Sequence, residues 1–118
     1  MNIEEFRVYC LSKPMVTEEF PFDETTLVFK VCGKIFALTG LEHLEFKVNL
    51  KCDPERAIEL REEYESIRAG FHMNKKHWNT VEVDGSFSDD LFMELIDHSY
   101  EMVVKGLPKS LRDQLSLD

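Results

Sequence analysis

At 118 residues the chain is the size of one folded domain, and its 43% hydrophobic and 31% charged content suits a packed core and excludes a disordered chain. Fourteen basic against 23 acidic residues leave a formal net charge of −9, which repels polyanions unless positive charge is gathered locally. Three cysteines with no close pair exclude a disulfide framework or a structural zinc site, while an acidic N-terminus and the lack of an apolar run of about 18 residues speak against a secretory leader or a membrane span.

One cytoplasmic domain over residues 1–118 is therefore expected. Asn2, with Glu5 three residues on, opens a first helix that carries Ile3, Phe6, Tyr9 and Cys10 on one side and stops at Lys13-Pro14. From Thr17 to Leu50 the period becomes two. Leu27, Phe29 and Val31 lead into a Cys32-Gly33 turn, and Lys34 to Thr39 returns as the second arm of a hairpin. Phe46, Val48 and Leu50 then alternate with Glu45, Lys47, Asn49 and Lys51, as a strand with one wet face requires.

Asp53 caps a second helix with Pro54 at its first position and Ala57, Leu60 and Tyr64 on its apolar side. Val81 and Val83 alternate toward an Asp84-Gly85 turn as a returning strand. Ser88 caps the longest helix, whose Leu91, Phe92, Leu95, Ile96, Ser99, Tyr100 and Val103 run to Gly106 as a C′ glycine; Pro108 opens a short last helix carrying Leu111 and Leu115. This order predicts an α+β fold of two layers, a mainly antiparallel sheet covered on one face by helices.

The window 66–81, SIRAGFHMNKKHWNTV, stands apart: it holds Arg68, Lys75 and Lys76 and no carboxylate, a charge of +3 against −12 for the rest. If Asn74 caps a helical turn starting at Lys75, its free N–H groups and the two ammonium groups converge on an anion, and Trp78 offers a face for stacking a base. The alternative is structural, with Phe71, Met73 and Trp78 anchoring the crossing from helix to strand. His72 and His77 are poor metal partners, five residues apart with no carboxylate or thiol in the window. His98 reads as a solvated partner of Glu94. Cys52 reads as an idle thiol or, at the start of a helix, a reactive one. The acidic N-terminal group Glu4, Glu5, Glu18, Glu19, Asp23 and Glu24 is a candidate for a hard cation. No catalytic or cofactor motif is recognisable, so neither an enzyme nor a cofactor is expected.

Lys13-Pro14, Phe20-Pro21-Phe22, Gly33-Lys34 with Phe36-Ala37-Leu38, Lys51-Cys52-Asp53-Pro54-Glu55, His72-Met73-Asn74-Lys75-Lys76-His77-Trp78, Thr80-Val81, Asp84-Gly85, Ser99-Tyr100 and Leu107-Pro108 together resemble the MmcQ/YjbR family over nearly the whole chain. Met15 stands where many members have glycine. The resemblance implies a frataxin-like or CyaY-like α/β fold and DNA binding through a double-wing surface. The contact set it suggests here is Arg68, His72, Asn74, Lys75, Lys76, His77 and Trp78, joined by Lys47 and Lys51 from one face of a strand. A small anionic ligand or an acidic partner segment at the same island is the second reading, with affinity rising as the histidines charge below about pH 6.5. Cation binding on the N-terminal acids is the third.

Overall fold

The computed structural model describes residues 1–71 and 73–115. Asn2 opens α1 (Ile3–Leu11) with both bonds of a capping box: its side chain accepts the Glu5 N–H at 2.8 Å, and the Glu5 carboxylate accepts the Asn2 N–H at 3.0 Å. Asparagine thus fills the role usually taken by serine or threonine. Beyond Pro14, Met15 takes a φ of 61°, in the left-handed region that favours glycine, and turns the chain into β1 (Val16–Glu19).

β2 (Thr26–Val31) and β3 (Lys34–Gly40) form the expected hairpin. Cys32 and Gly33 both have positive φ, 48° and 81°, as a two-residue type I′ turn demands. The register steps from Phe29 opposite Ala37 to Lys30 opposite Ile35, so Phe36 is an extra residue and bulges. β4 (Lys47–Lys51), α2 (Pro54–Glu63, capped by Asp53), β5 (Ile67–Ala69), β6 (Trp78–Glu82), α3 (Asp89–Lys105, capped by Ser88) and α4 (Lys109–Leu115) complete the chain. Among the described residues the sheet has six strands in the order β1-β2-β3-β4-β6-β5, every pair antiparallel.

Two strands go beyond the expected set, β1 and β5. Gly106 also differs: it ends α3 at a φ of −84°, right-handed, rather than as a left-handed C′ residue.

One core holds the molecule together. Phe6 of α1 sits edge-on to Phe29 at 5.4 Å and stacks on Phe92 of α3 at 5.8 Å, with Val31, Val48, Leu50, Val81 and Ile96 around them. Each such side chain taken fully out of water contributes about 1.5–3 kcal/mol. α2 joins the same core through Ala57 and Leu60, so α1, α2 and α3 all pack on one face of the sheet. Ser99 locks α3 down: its hydroxyl donates to the carbonyl of the bulged Phe36 and accepts the Lys51 N–H at 2.8 Å. Strand alternation then sends the neighbours of the core residues to the opposite, helix-free face.

Candidate ligand-binding face

The register fixes what that face presents. Lys47, Asn49 and Lys51 of β4 lie opposite Glu82, Thr80 and Trp78 of β6, and Arg68 of β5 lies opposite Thr80 from the other side. Lys47 and Arg68 therefore flank β6 from two strands apart and two residues out of line, roughly 12 Å at the usual strand spacing and rise. Ile35 and Leu38 of β3 extend the floor as its apolar part.

Loops raise walls around this floor and enclose a trough of about 750 Å³. Phe22 and His43 contribute to the rim, and the His43 ring lies so close over Gly40 that a Cβ there would meet it at 2.9 Å. On the β5 side, Phe71 is tied to the floor by a closed ring of bonds. Its N–H donates to the Thr80 hydroxyl at 3.0 Å, that hydroxyl donates to Asn49 Oδ1 at 2.5 Å, and Asn49 Nδ2 donates to the Phe71 carbonyl at 3.2 Å. Phe71 as a residue remains 70% exposed at the rim. A second hollow of about 560 Å³ adjoins the first through Phe22 and Ile35; it is lined by Lys30, Lys34, Lys51 and Trp78 and reaches Val103 and Gly106 at the end of α3, so it is not confined to the helix-free face.

The structure divides the expected contact set. It brings Lys47 and Arg68 to the trough and Lys51 and Trp78 to the neighbouring hollow. Asn74, Lys75, Lys76 and His77 line neither among the described residues, and His72 lies outside those residues. Residues 75–77 form a turn, not the start of a helix. Asn74 consumes the N–H groups an anion would need: its side chain takes the Lys76 N–H at 2.9 Å, and its carbonyl takes those of His77 and Trp78 at 3.2 and 3.0 Å. The segment also braces the fold. Arg61 of α2 donates to the Lys75 carbonyl, to that of Trp78 at 3.3 Å and to Asn79 Oδ1 at 2.6 Å, while the His77 carbonyl accepts the Cys52 N–H at 2.8 Å. Gly70 packs on Trp78 so tightly that a Cβ would meet its carbonyl oxygen at 2.9 Å.

The other singled-out groups have local partners. Cys52 is buried, and burial pushes its thiol up to about 11, which opposes thiolate formation at the start of α2. His98 does not pair with Glu94. Its Nε2 accepts the Asp53 N–H at 3.1 Å, Glu94 pairs with Arg56, and burial together with Arg56 holds the imidazole below its ordinary value. The N-terminal acids are spread over separate duties: Glu5 in the capping box, Glu18 on Arg7, Glu19 on Lys30 at 3.2 Å, Asp23 on the N–H groups of Thr25 and Thr26. These bonds hold Glu18, Glu19 and Asp23 below the usual carboxylate range. Among the described residues no three His, Cys, Asp or Glu side chains stand close enough together to hold a metal ion.

Phe22, Ile35, Leu38 and His43 of the trough were not expected as contact residues; Phe22 and Leu38 stood in the sequence only among the motifs that carry the resemblance. They come from three separate stretches, and no local spacing links them.

The YjbR family model matches residues 11–102. The uncharacterized protein YbdF of Escherichia coli O157:H7 is 43% identical over 105 residues, 88% of this chain and 84% of that one. The uncharacterized protein YjbR of Escherichia coli K12 is 36% identical over 115 residues, 98% of each chain. Among solved structures, that of Deinococcus radiodurans protein DR2400, with a DUF419 domain, matches with a TM-score of 0.91 at 42% identity over 99% of this chain and 89% of that one. A Pseudomonas syringae protein matches with a TM-score of 0.73 at 27% identity, covering 86% of this chain and 98% of that one. A family match across most of the chain, with relatives alike over nearly their full length, means that the chain belongs to the YjbR family.

Proposed function

We propose that the chain is a non-enzymatic, cytoplasmic binding domain that holds an anionic ligand on the helix-free face of its sheet and in the adjoining hollow that reaches the end of α3. The observation that carries this reading is the gathering of Lys34, Lys47, Lys51 and Arg68 around two adjoining hollows, with Lys30 beside them on Glu19, in a chain whose overall charge is −9. Positive charge set in concave surfaces with low-dielectric walls attracts anions more strongly than the same charge spread over a surface. Free thiols at Cys10, Cys32 and Cys52 suit a reducing compartment.

DNA is the polyanion that the family resemblance suggests, and one feature favours it. The second hollow sets Lys34 and Lys51 beside Trp78, pairing phosphate-neutralising cations with a stacking surface. Trp78 is the sole tryptophan, so its fluorescence reports from the hollow itself. Titration with duplex DNA and with single-stranded DNA, whose bases are free to stack, should give for at least one of them a saturable change that weakens from low to physiological salt and is reduced in Lys51→Gln. Silence at both salts removes DNA as the ligand.

A further inference from the structure

The two hollows differ in chemistry. The second is lined by three lysines, Lys30, Lys34 and Lys51. The trough is amphipathic: Phe22, Ile35 and Leu38 line it together with Lys47 and Arg68, and Glu82 adds a carboxylate. Two cations and one carboxylate leave a fixed charge of +1 there. That balance suits a ligand with a single negative charge, since each further charge would meet Glu82 without a cation to offset it.

Size narrows the ligand as well. A cavity of about 750 Å³ lies within the range of roughly 300–1,000 Å³ typical of sites that enclose small organic molecules. A DNA duplex presents phosphates and sugars on its outside and has no apolar body to cover Ile35 and Leu38. A small molecule with an aromatic or branched aliphatic body does, and it removes that apolar surface from water. The polar groups supply orientation. Arg68 Nε is committed to the Glu65 carbonyl at 3.2 Å, which leaves the two terminal guanidinium nitrogens for a carboxylate-like group.

We propose that the trough binds a small amphipathic monoanion, its apolar body against Phe22, Ile35 and Leu38 and its carboxylate or sulfonate between Lys47 and Arg68. This rests on the anion-binding reading and narrows it to one class of ligand and one of the two hollows.

The probe is 8-anilinonaphthalene-1-sulfonate, an aromatic monoanion whose emission rises when it leaves water, added to the intact chain. The expected result is one saturable site per chain, displaced by 1-naphthylacetate and not by neutral 1-naphthylmethanol. Arg68→Gln should weaken it about tenfold through loss of a charged hydrogen-bonding partner. Phe22→Ser should also weaken it, and Lys109→Gln, an exposed lysine of α4 that lines neither hollow, should leave it unchanged. Arg68 and Phe22 both lie exposed, so neither change disturbs the core. Non-saturable binding, equal displacement by the neutral alcohol, or sensitivity to Lys51→Gln and not to Arg68→Gln overturns the proposal. If the probe fails to bind while Trp78 responds to DNA, the monoanion site falls and the anion-binding face stands; if both are silent, both fall.

Discussion

At Met15 the backbone is left-handed, φ 61°, at a position with a bulky side chain that is 55% exposed. That conformation costs a non-glycine residue about 1–2 kcal/mol, whereas glycine gives back about 0.5–1 kcal/mol as extra freedom in the unfolded chain. Relief of strain wins. Met15→Gly should raise stability by about 0.5–1 kcal/mol in urea unfolding, and Met15→Ala, which keeps a Cβ, should not. Legibility at this scale followed locality. Asn2, Asp53 and Ser88 are legible as caps because each cap bond spans three residues. Arg61 is not, because its partners at Lys75, Trp78 and Asn79 lie 14 to 18 residues away and its own helix offers no sign of them.

Elements with a long periodic pattern were legible in the same way: α1, the β2–β3 hairpin, β4, α2 and α3 all lie where their apolar spacing put them. β5 was not, since three residues are too few to show a period and its place is fixed by pairing with β6. The trough shares this fate. Lys47, Lys51, Arg68 and Trp78 could be picked out as basic or aromatic, but the walls that make a cavity come from loops brought together only by the sheet.

The junction of α3 with α2 makes a further prediction. His98 accepts the Asp53 N–H only while neutral, and burial and Arg56 both disfavour its protonation. A group whose folded value lies below its unfolded value near 6.5 stabilises the fold fully above 6.5 and loses that contribution as pH falls toward the folded value. His98→Gln keeps an acceptor and removes the titration. The stability difference between wild type and His98→Gln should therefore shrink, or reverse in favour of the variant, as urea midpoints are followed from pH 7.5 to pH 5. The other histidines are present in both proteins and cancel, and the depressed carboxylates Glu18, Glu19 and Asp23 titrate below this window. A constant difference would mean that His98 acts only by packing.

For the molecule as a whole, the deciding quantity is how binding responds to salt. Lys30 is already paired with Glu19, so a duplex held through Lys34, Lys47, Lys51 and Arg68 would release condensed counterions at about four phosphates, a slope of about −3.6 in log affinity against log salt. Between 50 and 200 mM salt that slope is a loss of about 150-fold. The net charge of −9 keeps the duplex weakly held at low salt and makes the slope somewhat shallower, because salt also screens the repulsion by the rest of the chain. A monoanion in the trough behaves differently. It has no condensed counterions to release, and salt screens both the attraction of Lys47 and Arg68 and the repulsion of the remaining surface. Those two changes oppose one another, so its affinity should move by no more than about twofold over the same range. Parallel titrations of duplex DNA and of 8-anilinonaphthalene-1-sulfonate at 50, 100 and 200 mM salt separate the two ligands. A steep DNA slope with a flat probe response fits a face that uses both hollows, whereas a DNA slope near zero would mean that the lysines do not contact phosphates.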